Sequence, residues 1–333
     1  METRRRISLA LSLRRVPEMQ EWTQEAIKMK EVGVPIRQIA RTLGRPYTTV
    51  HNTLCGRKQP VKDKEVFCID TNPYAEGPTI VFLPDAQVKP GVDLTYLRCQ
   101  GEYIAQKKPD VIVCAGDFAD MESLSTYDKG KKSAEGKRVT KDIEAAIKGM
   151  EALLTPVKLA QVRCPSWKPR LVLTLGNHEQ RIVRHVEANP ELAGFLSYDS
   201  LRYMDFGWEV YDYLEPVVIG GVTFIHYWPN PFSGKPLGGT AANILQKVGC
   251  SVVQGHKQTL DVATRTLHNG VQQWSIVAGA SYDFDEGYKG FTGNRHYRGI
   301  VVMHNVRNGG FDPLFVSVEY LKDKYRNVGQ SCR

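Results

Sequence analysis

Residues 111–120 read VIVCAGDFAD, and residues 171–180 read LVLTLGNHEQ. Each stretch begins with a short apolar run rich in valine, isoleucine or leucine, which is typical of a strand buried on both faces. Each run then ends in a glycine followed by polar side chains able to bind a metal ion. These side chains are Asp117, Asp120, Asn177, His178 and Glu179. Active groups at the carboxyl ends of strands are expected in layered α/β folds, so this pattern decides the fold class.

The same arrangement recurs after three more apolar runs, at residues 79–83, 222–225 and 251–254. The polar residues that follow them are Asp85, Gln87, His226, His256 and Gln258. Between the runs, helical spacing predicts helices over residues 94–107, 140–159 and 180–187. A single aspartate or histidine after a strand is usually a turn residue or a structural histidine. Five such strand ends in one chain indicate a shared metal site.

The order of these motifs resembles the calcineurin-like metallophosphoesterase family over residues 77–305. The Gly-Asp-x-x-Asp block at Gly116 and the Gly-Asn-His-Glu block at Gly176 are its specific parts. The continuation into Gln180 and Arg181, together with residues 190–194, looks most like phage-type members. The resemblance implies a four-layer α/β/β/α sandwich of two mixed β-sheets. It also implies two divalent metal ions, with Mn²⁺ as the first expectation and Mg²⁺, Zn²⁺, Fe²⁺ or Ni²⁺ as alternatives.

The resemblance also assigns a role to each matching position. Asp117 would bridge the two ions, and His178 would act on the leaving oxygen of the substrate. The first ion would be held by Asp85, Gln87, Asp117 and Gln258, and the second by Asp117, Asn177, His226 and His256. Asp120 and Glu179 would orient these ligands from outside. Arg181, on the helix after His178, is near enough in sequence to contact a phosphate.

Such a set suits phosphodiester hydrolysis, because two cations neutralise the phosphate and a metal-bound water becomes the nucleophile. The family usually has histidine where this chain has Gln87 and Gln258, and both positions belong to the first metal. A glutamine oxygen is a harder and weaker ligand than an imidazole nitrogen. Three alternatives follow: an oxygen-liganded Mn²⁺ or Mg²⁺, an ion that arrives with substrate, or a site with one metal or no activity.

Charge is distributed unevenly along the chain. The whole sequence has 44 Lys and Arg against 36 Asp and Glu, but residues 1–65 contain 14 of the basic residues and 7 of the acidic ones. A basic module is therefore attached to a nearly neutral body. In this module, apolar spacing predicts helices over residues 21–30, 36–43 and 47–54, with a tight turn at Gly44. Two short helices joined in this way are typical of a helix-turn-helix.

This stretch resembles the DNA-binding helices of resolvase and invertase recombinases. The resemblance implies that Tyr47, Thr48, His51 and Asn52 approach base edges, while Arg45, Arg57 and Lys58 lie near phosphates. The alternative is a small helical bundle used for protein contacts. The sequence therefore predicts four regions: a basic arm and helix-turn-helix at residues 1–59, a linker at 60–76, the phosphoesterase domain at 77–320 and a tail at 321–333.

We therefore expect a metal-dependent hydrolase, a phosphodiesterase or nuclease that the helix-turn-helix directs to DNA. One alternative is a phosphomonoesterase acting on nucleotides or phosphoproteins, and another is a non-catalytic DNA-binding protein on a degenerate scaffold. No apolar run approaches the roughly 20 residues of a membrane helix, so no membrane partner is expected. The 7 cysteines show no paired framework and indicate reduced thiols, as in a cytoplasmic protein or a phage protein in the host cytoplasm.

Overall fold

The computed structural model describes residues 21–31, 36–54 and 77–327 of the protein. The chain divides into two units, residues 1–66 and residues 67–333. The predicted arm and linker lie outside the described residues, as do Arg57 and Lys58. The predicted roles of these segments therefore stay predictions.

Three helices form the described part of the first unit, close to the predicted positions. They are α1 (Glu21–Glu31), α2 (Ile36–Thr42) and α3 (Tyr47–Leu54). Their apolar faces meet in a core of fully or almost fully buried side chains: Ala26, Ile39, Ala40 and Val50. Helix α2 ends because Gly44 adopts a left-handed φ of 59°, which lets the Arg45 amide donate to the Ala40 carbonyl at 2.9 Å. This turn sets the entry into α3.

The second unit alternates helices and strands, as the strand-end pattern predicted. The helices are α4 (Thr95–Lys107), α5 (Val139–Arg163), α6 (Gln180–Ala188), α7 (Ala241–Val248), α8 (Gly290–Gly293) and α9 (Val318–Tyr325). The strands are β1 (Ile80–Leu83), β2 (Val111–Cys114), β3 (Arg170–Thr174), β4 (Glu209–Tyr211), β5 (Val217–Ile219), β6 (Val222–Ile225), β7 (Ser251–Gln254), β8 (Leu260–Thr266), β9 (Gln272–Ala278), β10 (Gly299–Arg307) and β11 (Gly310–Ser317). Short 3₁₀ turns cover Glu122–Leu124, Lys132–Ala134, Pro190–Leu192, Tyr198–Leu201, Tyr203–Phe206 and Gly287–Lys289.

The strands form two mixed sheets, which confirms the expectation of a mixed α/β fold. The first sheet has the order β11-β10-β1-β2-β3-β4, and its strands β1 to β4 run parallel to one another. The second has the order β5-β6-β7-β9-β8, with β6, β7 and β9 parallel. Parallel neighbours end at the same edge of a sheet, so the polar residues that follow them are brought close together.

The alternation of side chains along β1 explains why the sheets pack face to face. Ile80 and Phe82 point into a core shared with the second sheet, where the Phe82 and Phe224 rings lie 6.0 Å apart. Val81 and Leu83 point the other way, into a core formed with α4 and α5. The outer face of the second sheet packs on α7 through Ile244. Because successive strand residues face opposite sides, β1 contributes to both cores.

The predicted boundary before residue 321 is wrong for the first part of the tail. Helix α9 begins at a cap in which the Ser317 hydroxyl accepts a hydrogen bond from the Tyr320 amide at 3.2 Å. Leu321 is fully buried, and the Tyr325 ring packs edge-on against Tyr103 at 6.3 Å. The apolar positions of this short segment are three to four residues apart, and burial against α4 gives it the stability that its length alone does not. Among the described residues, no helix is both long and apolar enough to span a membrane.

Candidate metal centre

Residues that follow β1, β2, β3 and β7 line one cavity of about 380 Å³, and His226, after β6, lies behind them in contact with Asn177 and Asp117. Asp85, Asp117 and Asn177 follow strands of the first sheet, while His226 and His256 follow strands of the second. The cavity is lined by Gln87, Asp117, Asn177, His178, His256, Gln258, Thr259, Lys289, Gly293 and His296. The structure thus brings the sequence-predicted ligands of both sheets to one place. Four of them, Asp117, Asn177, His226 and His256, are called the histidine side below; Gln87 and Gln258 are called the glutamine side.

The ligand atoms of Asp117, His226 and His256 lie within 4.8 Å of one another. His226 is fully buried, and its Nδ1 lies 2.7 Å from the Ala115 carbonyl, which assigns the ring proton to Nδ1. Burial also lowers the pKa of His226, so the imidazole is neutral. Its Nε2 therefore presents a lone pair, 2.8 Å from Asn177 Oδ1 and 3.4 Å from Asp117 Oδ2. Lone pairs converge here without a proton between them, which is the environment a cation fills.

His256 completes this group with a second neutral imidazole. Burial, reinforced by the neighbouring His226, lowers its pKa to about 3. Its ring packs against His226 with centroids 5.2 Å apart and against Tyr227 at 4.7 Å. A neutral, fixed imidazole is the form that binds a metal ion, because protonation would remove its lone pair.

Asp85 gives an independent sign that positive charge belongs at this site. The side chain is fully buried, and its Oδ1 accepts a hydrogen bond from the His256 amide at 2.8 Å. Its buried Oδ2 has no hydrogen-bond partner among the residues that the structure describes. Burial, with a smaller contribution from the nearby Asp117 carboxylate, raises the pKa of Asp85 to about 6. A buried carboxylate oxygen without a donor is costly, and a metal ion would stabilise it. The residues present therefore fit a divalent cation.

Two glycines allow the ligand-bearing loops to approach closely. Gly116 has a φ of 81°, and a Cβ on it would lie 2.3 Å from the Gly176 nitrogen. A Cβ on Gly176 would lie 2.2 Å from Asp117 Oδ1. No other residue fits these two positions, because the backbones and the Asp117 carboxylate occupy the space of a side chain. The glycines of the two sequence motifs therefore serve the geometry of the site.

The Glu179 carboxylate joins these two loops from beneath the cavity. One oxygen accepts hydrogen bonds from the amides of Asp117 at 2.8 Å and Gly176 at 3.0 Å. The other accepts from the amides of Phe118 at 2.8 Å and Ala119 at 3.0 Å, and from the Tyr203 hydroxyl at 3.1 Å. Glu179 is fully buried and does not line the cavity. These hydrogen bonds position the backbone of Asp117 and its neighbours.

His178 lies at the mouth of the site beside Asp117. Its Nδ1 is 2.7 Å from Asp120 Oδ1, and its Nε2 is 3.6 Å from Asp117 Oδ2. Burial lowers the pKa of His178, but Asp117 and the hydrogen bond to Asp120 outweigh it, and the net pKa is raised. Arg181 contacts Asp120 Oδ1 at 3.2 Å, the Asp120 carbonyl at 2.8 Å and His178 Nε2 at 3.1 Å. Its predicted contact with a phosphate stays a prediction. In this arrangement, Arg181 supports the His178–Asp120 pair.

The glutamine side is built differently. Gln87 lines the cavity and has a left-handed φ of 45°. Its backbone amide donates a hydrogen bond to the Asp117 carbonyl at 2.8 Å. Gln258 Oε1 accepts hydrogen bonds from the Tyr282 hydroxyl at 2.8 Å and from the Lys289 ammonium. The oxygen predicted to bind the first metal is thus directed toward two donors.

Sequence reasoning missed Thr259, Lys289 and His296 as lining residues. Thr259 directly follows Gln258, while Lys289 and His296 lie in the loop between β9 and β10. None of them follows an apolar run directly, so the strand-end pattern contained no signal for them. The glycine-rich, aromatic composition around residues 288–297 was the available indication that this loop borders a site.

The predicted DNA-contacting residues are described only in part. The Arg45 guanidinium lies over the Trp22 ring at 5.5 Å, and the Tyr47 and His51 rings are 5.5 Å apart. Tyr47 packs partly against the core of its unit. The side chains of Thr48 and Asn52 lie outside what the structure describes. Contact with base edges or phosphates therefore stays a prediction.

Comparison with known proteins indicates phage relatives. No family model matches the chain. The Gene 54 protein of Mycobacterium phage L5 is 26% identical over 208 residues, which cover 60% of this chain and 78% of that protein. The Gene 54 protein of Mycobacterium phage D29 matches with the same identity and coverage. One solved crystal structure covers 72% of this chain and 99% of its own at 13% identity, with a TM-score of 0.29, too weak a likeness to assign a fold.

Proposed function

We propose that this protein is a metal-dependent phosphoesterase that hydrolyses phosphodiester bonds in DNA. The observation that carries the proposal is the convergence of Asp117, Asn177 and His226 acceptor atoms beside His256 at the carboxyl ends of both sheets. We further propose that the two packed sheets and their flanking helices form the four-layer metallophosphoesterase fold.

The histidine side would hold a divalent cation, with Asp85 contributing its buried carboxylate. Such an ion supplies positive charge that neutralises a phosphate and activates water for attack. Asp117 and the two neutral imidazoles are ligand types that suit Mn²⁺, Fe²⁺ or Zn²⁺.

His178 is the residue we assign to the leaving group. Its neighbours Asp117 and Asp120 favour the protonated imidazole, which then donates a proton or a charged hydrogen bond to the departing oxygen. The Asp120 carboxylate fixes the ring position by accepting a hydrogen bond from the His178 Nδ1–H group. A fixed donor stabilises developing charge better than a mobile one, because little reorganisation is needed in the transition state.

The activity is tested with the full-length protein, stripped of metal and then given Mn²⁺, Mg²⁺ or Zn²⁺ separately. We expect metal-dependent turnover of bis-p-nitrophenyl phosphate and of DNA, and loss of at least about 100-fold in Asp117→Asn. Asp312→Asn is the matched control, since Asp312 is exposed on β11. Absence of turnover with every metal would reject the proposal. A strong preference for p-nitrophenyl phosphate and nucleoside monophosphates would favour the phosphomonoesterase alternative.

We propose DNA as the substrate because the first unit combines a helix-turn-helix arrangement with most of the excess positive charge. The test is Thr48→Ala/Asn52→Ala in the full chain. Cleavage of duplex DNA should fall, while turnover of bis-p-nitrophenyl phosphate should stay unchanged, because a small diester needs no recognition helix. Thr49→Ala, on the same helix, is the control. Equal DNA cleavage by all three proteins would separate the helices from substrate binding.

A further inference from the structure

Residues 127–141, called the basic segment below, follow the loop that carries Asp120 and extend into the first turn of α5. The segment contains six basic and two acidic residues, whereas the rest of residues 66–333 contains 24 basic and 27 acidic ones. The basic residues are Lys129, Lys131, Lys132, Lys137, Arg138 and Lys141. The positive excess of this part of the chain is therefore concentrated in one segment.

One lysine of the basic segment holds two acidic side chains. The Lys137 ammonium lies 2.9 Å from Asp128 Oδ2 and 3.2 Å from Glu122 Oε2. The other Asp128 oxygen accepts a hydrogen bond from the Ser133 hydroxyl at 2.9 Å. The hydrogen bonds from Lys137 and Ser133 lower the pKa of Asp128, with a smaller contribution from the charge of Lys131. Asp128 and Glu122 are thus paired mainly with Lys137.

The other cations of the basic segment face solvent. These exposed residues are Lys129, Lys131, Lys132, Arg138 and Lys141. Within residues 77–327 none of them forms an ion pair, and the Arg138 guanidinium donates to the neutral Lys137 carbonyl at 2.8 Å. Glu135 is the one exposed acidic residue of the segment, so its surface keeps a positive excess. Such a surface attracts a polyanion, because binding releases the counterions that surround the phosphates.

The basic segment is anchored beside the cavity. Near its start, the Ser123 amide donates to Asp142 Oδ2 at 2.9 Å, and Asp142 directly follows its last residue. The chain thus returns to the loop that carries Asp120. Asp120 Oδ1 itself lies 2.7 Å from His178 Nδ1. Both ends of the segment are therefore held at the loop that supports the residue we assign to the leaving group.

We propose that the basic segment binds the sugar-phosphate backbone of DNA next to the phosphate that is hydrolysed. This inference rests on the proposed phosphoesterase function with DNA as the substrate. The metal centre acts on one phosphate, whereas the exposed cations contact phosphates that flank it and read no base. Lysine suits such contacts, because a compact charge on a flexible stem can follow the backbone. The second unit therefore has a DNA-binding surface of its own, besides the one proposed for the helix-turn-helix.

The test measures the affinity of the full-length protein for duplex DNA at several salt concentrations, with chelator present to prevent cleavage. The variant Lys129→Gln/Lys132→Gln/Lys141→Gln should bind about tenfold or more weakly at low salt. The slope of log K against log salt concentration should become shallower by about 2 to 3, since each lost phosphate contact removes about 0.9. A slope within about 0.5 of the wild-type value would overturn the proposal. If this variant fails to fold, Lys132→Glu replaces it, with an expected change of about 1 and the same reading of an unchanged slope.

The matched control removes the same charge from the opposite edge of the sheets. Lys107→Gln/Lys168→Gln/Lys247→Gln changes three exposed lysines that precede β2, β3 and β7, at the amino ends of these strands. Its slope should stay within about 0.5 of the wild-type value, and an equal loss in both variants would overturn the proposal, because net charge alone would then explain it. Lys129→Arg/Lys132→Arg/Lys141→Arg keeps the charges and should retain the wild-type slope; a loss in this variant would also count against the proposal.

The binding measurement requires no turnover, so the two proposals fail separately. A protein that loses salt dependence in the basic-segment variant, yet cleaves no phosphoester with any metal, would reject the proposed function alone. A protein that cleaves DNA while the basic-segment variant keeps the wild-type slope would reject the role of the segment alone.

Discussion

The histidine side and the glutamine side of the cavity differ in the balance of hydrogen-bond donors and acceptors. On the histidine side, His226 Nε2, Asn177 Oδ1 and Asp117 Oδ2 are acceptors that face one another without a donor. On the glutamine side, Gln258 Oε1 is already bound by a hydroxyl and an ammonium. Both sides are built from loops at the carboxyl ends of strands. A position at a strand end thus brings a residue to the site, and its hydrogen-bond partners determine whether its side chain can accept a metal ion.

The largest expected effect is a difference in Mn²⁺ affinity between variants of the histidine side and variants of the glutamine side. His226→Ala should weaken Mn²⁺ binding by at least about 100-fold, because it removes a buried, correctly oriented lone pair. Gln258→Ala should change the affinity by less than about tenfold. Calorimetric titration of both variants measures the contrast, and circular dichroism verifies that both are folded. Equal losses would mean that the two sides contribute alike to metal binding.

His178 separates catalysis from metal binding, because we propose that it contacts the substrate and is not a metal ligand. His178→Asn should lower kcat by about 100-fold or more while Mn²⁺ affinity stays within a few-fold of wild type. His185→Asn, at a histidine of α6 that does not line the cavity, serves as the control. A parallel loss of metal affinity would instead assign His178 to the ligand set.

Glu179 tests the support of the two loops that carry Asp117 and Asn177. A glutamine there replaces one acceptor oxygen by an NH₂ group that faces backbone amides, so buried donors lose their partner. We expect Glu179→Gln to lower the free energy of unfolding by about 3 kcal/mol. Chemical denaturation measures it, with Glu187→Gln at an exposed position as the control. A change below about 1 kcal/mol would show that the loops hold their positions without this carboxylate.

Asp85 tests whether the site stores unfavourable negative charge when no metal is bound. Its folded-state pKa of about 6 lies above the ordinary 3.8, so the folded protein binds this proton more tightly than the unfolded chain does. Its contribution to stability is thus present at low pH and is lost as pH rises through 6. In the presence of chelator, Asp85→Asn should therefore be more stable than wild type by about 2 kcal/mol at pH 7.

This advantage of Asp85→Asn should disappear near pH 4 and reverse when Mn²⁺ is added, because the ion stabilises the ionised carboxylate. Denaturation curves at several pH values, with Asp312→Asn as the control, measure both effects. A variant less stable than wild type at pH 7 without metal would contradict this account of the buried charge.

The smallest expected effect is a shift in the pH dependence of kcat/KM. Asp120 helps to raise the pKa of His178, and activity that needs the protonated ring falls as pH rises through that pKa. Asp120→Asn removes a negative charge, so the basic limb of the kcat/KM profile should move to lower pH. An unmoved limb would indicate that the limb belongs to a group other than His178.

The strands that precede the candidate ligands were predictable from local sequence. Features that depend on packing between distant segments were not. Apolar runs gave the five strands that precede the ligand residues, because strand burial produces a composition visible within a few residues. Helix α9 was missed because its stability comes from burial of Leu321 and Tyr325 against a distant helix. The short distance in sequence between His178 and Arg181 predicts a phosphate contact for Arg181. The contacts of Arg181 with Asp120 could not be predicted in this way, because they depend on how α6 packs against the loop after β2.

Local sequence is sufficient to establish which ligand types follow the strands, and in which order. Tertiary packing is needed to show that Glu179 holds two loops together, that one Asp85 oxygen lacks a hydrogen-bond partner among the described residues, and that Lys289 contacts Gln258 from 31 residues away. Hydrogen bonds between distant residues depend on how sheets and loops pack, and no period or motif in the chain encodes them. These hydrogen bonds determine which groups on each side of the cavity can bind a metal ion.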